Sequence, residues 1–558
     1  MTAPFRTVKQ EVVAARAVVA ANHPLAAAAG LETLAQGGNA VDAAVATLAA
    51  LTVVEPMMVS IFGAGFVLHR TPAGALVALD NYATAPAAAR PDLFEPVPGS
   101  LENETVGRRN RVGHLAVGVP GALRGWAALL ARHGTLPLAE VLAPAIRYAE
   151  TGFAVSPYLA QAIAETPELA DYPASAAVFL PGGRPPAPGT RLVRRDYART
   201  LQLIAEGGPA VMHTGEVAQL VVAEMERAGG WITLADLAGY QERWRAPVRG
   251  SYRGCEIVSM APASSGGTHV VQILNLLEAD DVRGLGFGSV ENVHLFLEAL
   301  KIAFADRARY MADPEAVTVP VDWLTSKAYA GQRRREIDPA KATAFTAGVA
   351  AAGGEGDCTT HVTVVDAAGG VVTATQTLND LFGSKVTAAG TGMLLNNCMA
   401  LLDPTPGRAN SIAPGKRILS SMSPTIVQRD GRPWFALGTP GGSRIFAAVT
   451  QAIINVIDHG MTLQEAVEAP RVWTMGATVL VEDGFPNLAE LVAGLARRGH
   501  AVEVVPKVAG GMNGVLIDEA GLLHGAACWR ADGAPVGLSG GPARLAGETL
   551  PLGARPVR

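Results

Sequence analysis

The chain is 558 residues long, which at about 150 residues per domain predicts three to four domains or fewer large ones. Its 45 Lys+Arg and 50 Asp+Glu give a net charge of −5 and a pI near 6.2, which argues against a nucleic-acid partner. At 49% apolar and 17% charged it is not mainly disordered, and its 62 Gly and 37 Pro, without a collagen-like period, signal many turns.

From the N-terminus, Lys9, Gln10, Glu11 and Arg16 break every apolar run that a secretory signal needs. The longest apolar stretches, such as Ala43 to Val54, stop short of the roughly 20 residues that span a bilayer, so no membrane partner is expected. Val18 to Ala21 reads as a strand, and Leu25 to Gln36 as a helix stopped at Gly37-Gly38. Asn39 and Asp42 stand in capping-box positions before a second helix. Residues 63–70 and 75–82 read as paired strands around a turn at Pro72 to Gly74. From Gly121 to about Glu224 the pattern is helical, broken by a Pro/Gly-rich stretch at 180–189, and Val290 to Met311 is a long helix. Between Ile337 and Gly356 the residues are small and nearly featureless, as in a surface linker. Four cysteines (Cys255, Cys358, Cys398 and Cys528) are too few and too scattered for a disulfide framework, so a reducing, cytoplasmic setting is expected.

Directly after the linker, Cys358 to Val365 has the β-branched alternation of a strand, Asp366 to Gly370 is turn chemistry, and Val371 to Thr377 is a second strand. Centring the turn on Ala368 pairs residues whose numbers add to 736, which sets Thr359 opposite Thr377. Such a pair is an ordinary sheet stabiliser worth about a few tenths of a kcal/mol. The flexible segment leading into it opens a second reading. Cleavage before Thr359 would free an α-amine with a pKa of about 7.7–8.0, a base suited to activating the threonine's own hydroxyl.

The motifs, in order, resemble those of the γ-glutamyltransferase family of N-terminal nucleophile hydrolases. They are Cys358-Thr359-Thr360-His361, Thr377-Leu378-Asn379, Phe382-Gly383, Leu395-Asn396-Asn397, Leu419 to Thr425 and Pro440 to Arg444. Upstream, Gly37 to Ala44, Gly63 to Phe66, Pro262 to Gly267 and Ala305 to Arg307 extend the likeness over nearly the whole chain. The resemblance implies an α/β fold of α+β type, an αββα four-layer sandwich made from one precursor that cuts itself between Cys358 and Thr359. The products would be a large subunit, 1–358 with its flexible linker 337–358, and a small subunit, 359–558. At about 0.103 kDa per residue they weigh about 37 and 21 kDa and stay together as a heterodimer. By the same resemblance Thr359 is the nucleophile, Thr377 stands beside it, and the N–H groups of Gly441 and Gly442 form the oxyanion hole. Asn379, Ser420 and Ser421 would contact the polar end of the acyl group. This chemistry calls for no cofactor and no metal.

The departures from the family narrow the substrate. γ-Glutamyl enzymes hold the donor's ammonium with an amide and a carboxylate just after the Asn-Asn pair; here those positions are Cys398 and Leu401, with Asp403 the nearest acid. The family's arginine for the α-carboxylate falls on Pro91, which makes the adjacent Arg90 the expected ligand. A site that keeps hydroxyl and amide groups but loses the anion favours a des-amino acyl group such as glutaryl. That description resembles the family's cephalosporin acylases, with some γ-glutamyl hydrolase or transferase activity. A γ-glutamyltranspeptidase or glutathione hydrolase proper, and a small-amide hydrolase such as oxamate amidohydrolase, stay open. The expected partner is in each case a small-molecule acyl amide.

Rival classes fit less well. Cys358 and His361 show C-x2-H spacing, with Cys398 further on, but no second ligand pair completes a zinc site. Gly37-Gly38 and Gly63-Ala64-Gly65 match neither nucleotide-binding glycine pattern. A catalytically dead scaffold of the same fold has no need of the intact Thr359, Thr377, Asn379 and Gly441-Gly442 set. His114, His269 and His294 read as ordinary hydrogen-bonded or surface histidines. Lys416-Arg417 reads as a solvated pair or a steering charge for an anionic acyl group, and Arg444 as half of a buried ion pair.

Overall fold

The computed structural model describes residues 4–98, 103–345, 358–476 and 478–542. Its main sheet has thirteen strands. β1 (Val12–Ala21), β2 (Ala64–Arg70), β3 (Leu76–Asn81), β4 (Arg243–Arg245), β5 (Val248–Tyr252) and β6 (Cys255–Ser259) precede the candidate cleavage point. β7 (Cys358–Val365), β8 (Val371–Asn379), β9 (Thr425–Arg429), β10 (Arg432–Gly438), β11 (Asn513–Ile517), β12 (Leu523–Ala527) and β13 (Ala534–Pro542) begin at or follow it. The order is β4-β3-β2-β8-β7-β1-β12-β11-β10-β9-β6-β5, with β13 also on β1.

The path folds back on itself, so that β7 and β8 face β10 across the interior. On the outside of the first half lie α1 (Pro24–Ala35) and α2 (Ala40–Val54); on the outside of the second lie α3 (Gly266–Leu277), α4 (Val290–Tyr310) and α5 (Ile445–Ile457). Helix, sheet, sheet, helix is the four-layer αββα architecture the sequence implied. All fifteen residues of α2 are buried, as an Ala/Val-rich helix apolar on every side must be. Its start is the expected capping box: Asn39 Oδ1 accepts from the Val41 and Asp42 N–H groups, and Asp42 Oδ2 accepts from the Asn39 N–H at 2.8 Å.

β7 and β8 sit between β2 and β1, so the two sides of the candidate cleavage point share one hydrogen-bonded ladder. Two fragments made there would be interleaved rather than side by side. The hairpin register is the one that sums to 736 from Val371↔Val365 through Gln376↔Thr360. It then breaks: the next pair is Asn379↔Cys358, a bulge that spends an extra residue beside Thr359.

Of the expected linker 337–358, residues 346–357 lie outside the described residues. Its first part is not featureless. Ile337 is buried, the Ala342 N–H donates to the Arg498 carbonyl at 2.7 Å, and the Thr343 N–H donates to Glu298 Oε2 at 2.8 Å. Among the described residues no helix is long and apolar enough to cross a membrane.

Candidate active site

Thr359 lies at the start of β7 and is 3% exposed. Its Oγ1 stands 3.3 Å from Thr377 Oγ1, which also accepts the Asn379 N–H at 2.7 Å. The bulge brings this about: one strand spends an extra residue here, and Asn379 takes a left-handed φ of 85°. A non-glycine residue in that region is held by its surroundings. The holder is Asn397, whose Oδ1 accepts from Asn379 Nδ2 at 3.2 Å and from the Asp380 N–H at 2.9 Å.

Two residues along the same face of β7, His361 is buried between the hydroxyls of Thr375 (2.8 Å), Thr373 (3.0 Å) and Thr363 (3.1 Å). Burial pushes its pKa down to about 3, so it is neutral, and its hydroxyl partners fill the places a zinc ion would need. A Cβ on Gly438 would stand 2.3 Å from the His361 ring, so the end of β10 packs directly against β7. Leaving Gly438, the chain passes through Thr439-Pro440 to Gly441 (φ 139°) and Gly442 (φ 55°). The loop is pinned where the Gly510 N–H donates to the Pro440 carbonyl, and a Cβ on Gly441 would stand 2.6 Å from Ala509 Cβ. Among the described residues no acceptor takes the N–H of Gly441 or Gly442.

Ser420 and Ser421 are buried on a strap laid beside Ala263 to Ser265. Ser265 donates its N–H (2.7 Å) and its hydroxyl (2.9 Å) to the Ser420 carbonyl, while Arg307 Nε donates to Ser265 Oγ at 2.9 Å. Buried arginine and serine thus fix the strap's backbone.

Cys398 and Leu401 are both buried. Burial drives the Cys398 thiol well above the ordinary range, with the Asp380 charge adding to it, so it is a small neutral group. Asp403 does not replace the missing acid at Leu401. It pairs with Arg408 at 3.0 Å and accepts the Thr405 N–H at 2.8 Å, closing its own turn. Asp380, the other acid nearby, pairs with Arg111 at 3.3 Å and accepts Asn397 Nδ2 at 2.7 Å.

The charged residues expected at or near the site have the following surroundings. Arg90, the expected carboxylate ligand, is at the surface and pairs with Asp92 at 3.0 Å, with both side chains more than two-thirds exposed (68% and 77%). Ala89 beside it is buried in the core. Lys416 and Arg417 are neither solvated nor steering charges. Lys416 donates to the Ala409 and Ser411 carbonyls; Arg417 reaches Asp80, the Tyr82 and Gln241 carbonyls and the Tyr240 hydroxyl. Arg444 lies over the Trp473 ring at 4.8 Å.

Arg111 and Asp380 are the residues that sequence reasoning missed. Arg111 lies far from the nucleophile in sequence, in a segment with no periodic signal. The side chain of Asn397, donating to the Arg111 carbonyl at 2.8 Å, helps to bring it to Asp380 and Asn379.

His114 pairs with Glu224 at 2.9 Å and His269 with Gln272 at 2.7 Å, both structural. His294, Glu298 and His500 bring ligand-type atoms within 4.8 Å of one another. That cluster is closed upon itself: His294 and His500 hydrogen-bond at 2.8 Å, and Lys301 holds Glu298 at 2.7 Å. With Asp338 and Thr343 also attached, it acts as a buried clamp on the segment that leads toward β7.

The gamma-glutamyltranspeptidase family profile matches residues 26–538. Over 545 residues the chain is 53% identical to the acylase ACY 1 proenzyme of Pseudomonas sp. (strain SE83), with 97% of each chain covered. It is 39% identical over 533 residues to the glutathione hydrolase proenzyme of Escherichia coli (strain K12), covering 92% of this chain and 90% of that one. Its structure matches the cephalosporin acylase from Bacillus halodurans with a TM-score of 0.87 and 32% identity, covering 96% of this chain and 98% of that one.

Proposed function

The chain belongs to the gamma-glutamyltranspeptidase family, and on that premise we propose that it is a self-processing amidohydrolase for dicarboxylic, glutaryl-like acyl amides such as a cephalosporin side chain. Cleavage between Cys358 and Thr359 leaves a large chain, 1–358, and a small one, 359–558. In the processed enzyme the Thr359 α-amine takes the proton from its own Oγ1, which attacks the acyl carbonyl. Thr377 steadies that hydroxyl, a role its 3.3 Å contact supports. The N–H groups of Gly441 and Gly442 hold the oxygen that becomes negative. Collapse passes the proton from the amine to the leaving nitrogen, and water then releases the acid and restores Thr359. Asn379, Ser420 and Ser421 line the far end of the acyl group, with Cys398 as a small neutral wall. Cytoplasmic residence belongs to the same proposal.

The observation that carries the substrate class is the state of the acids. Leu401 offers none, and both Asp403 and Asp380 are paired with arginines. A γ-glutamyl ammonium would be buried without a counter-ion, a cost of several kcal/mol. Glutaryl-p-nitroanilide is therefore expected to beat γ-glutamyl-p-nitroanilide by about 100-fold or more in kcat/KM. The opposite order would return the protein to the glutathione hydrolase reading. Leu401→Asp should shift the preference toward γ-glutamyl.

With Arg90 at the surface, we assign the acyl carboxylate to Arg111. A guanidinium has five donors and can serve Asp380 and a substrate carboxylate together. The double variant Arg111→Met/Asp380→Asn, which removes both charges of that pair, should raise KM for glutaryl amides about tenfold or more and spare butyryl amides. Equal effects on both substrates would show that the arginine is structural.

A further inference from the structure

Self-cleavage creates a mechanical difficulty at the nucleophile. Once the Cys358–Thr359 bond is cut, the pair Asn379↔Cys358 is lost, and the last regular rung of the β7–β8 ladder is Gln376↔Thr360. Thr359 then overhangs a bulge with no residue before it, and a strand end without ladder partners frays. Something other than the ladder must hold it.

We propose that Glu55, acting through Thr360, is the positioning residue that holds the free end of β7 and so aims the nucleophile; the inference rests on Thr359 being that nucleophile. Successive side chains on a strand point to opposite faces, so Thr359 turns toward Thr377 while Thr360 turns toward the helix layer. There Thr360 Oγ1 donates to Glu55 Oε2 at 2.6 Å, with Thr360 fully buried and Glu55 2% exposed. Glu55 caps the end of the wholly buried helix α2, its N–H donating to the Leu51 carbonyl, so it stands on a rigid support. The same turn grips the facing strand as well. The Met58 carbonyl accepts the Leu378 N–H and the Met57 carbonyl accepts the Phe382 N–H, each at 2.9 Å. One turn of the large chain thus holds both sides of the bulge from which Thr359 emerges.

The acid's protonation gives this device a signature. Burial raises the Glu55 pKa to about 8; the Thr360 hydrogen bond opposes the rise and the Asp532 charge adds to it. The carboxyl end of α2 also disfavours an anion there. Glu55 is accordingly held as a neutral acid at pH 7, and its ionisation at higher pH puts an unmatched charge behind Thr360.

Thr360→Val and Glu55→Ala in the full chain, checked by N-terminal sequencing of the small fragment, are expected to lower kcat about tenfold or more with KM within twofold. Glu55→Gln keeps the acceptor and cannot ionise. It should retain wild-type kcat at pH 7 and lack the fall in activity above about pH 8 that is expected of the wild type. Wild-type kcat in both Thr360→Val and Glu55→Ala would overturn the proposal. So would a parallel rise in KM, or a Glu55→Gln profile that still falls above that pH. A Thr359→Ala protein that remained active would instead overturn the nucleophile itself, which keeps the two failures apart.

Discussion

Thr359→Ala is expected to run as one band near 57.6 kDa on a denaturing gel, and the wild type as two, near about 37 and 21 kDa. Its amidase activity should fall by about six orders of magnitude, the scale seen when a nucleophile that works as a unit with its base is removed. In the proposed mechanism one residue supplies both, since the amine and the hydroxyl would belong to Thr359. Thr359→Ser, which keeps the hydroxyl, should restore two bands and a measurable fraction of turnover. Under native conditions all three proteins should have the same size. β7 and β8 lie between β2 and β1, and no fragment can leave without breaking ladders on both sides. Two bands that persist in Thr359→Ala would mean an outside protease cutting the linker. A wild type that stayed one chain and was fully active would dismiss the amine as base.

How much of this was legible in the sequence depends on how far apart the deciding residues lie. The hairpin register follows from alternation and a five-residue turn, and holds to Thr360. The capping box at Asn39 and Asp42 is equally local. The four-layer fold and the order of the site motifs came from family resemblance, and the loss of an acid at Leu401 was visible as a single letter. The arginines were not legible. Arg90 fitted by proximity to an expected position, but it stands at the surface with Asp92. Arg111 is brought in by an Asn397 hydrogen bond spanning 286 residues. Lys416 and Arg417 look like a surface pair because Asp80, 337 residues from Arg417, cannot be seen as a partner in a linear chain. Glu55 reads as an ordinary helix end until Thr360, 305 residues on, is placed against it.

Gly441→Ala is expected to lower kcat about 10²- to 10³-fold, the roughly 2.7–4 kcal/mol that one oxyanion donor supplies, with KM within about threefold of wild type. Two features make alanine disruptive there. Its φ of 139° is one that L side chains rarely adopt, and an added Cβ would stand 2.6 Å from that of Ala509. The loop must move to admit it, and an N–H displaced by even an ångström loses most of its hold on a developing charge. Backbone strain by itself is separable from this effect. Gly431 also has a positive φ, 73°, with nothing within 4 Å of its added Cβ, and it lies at the hairpin turn between β9 and β10, the end of β10 opposite Gly438. Gly431→Ala should therefore cost stability but leave kcat near wild type. A Gly441→Ala enzyme that turned over glutaryl-p-nitroanilide as fast as Gly431→Ala would remove this loop from the chemistry and require another donor for the oxyanion.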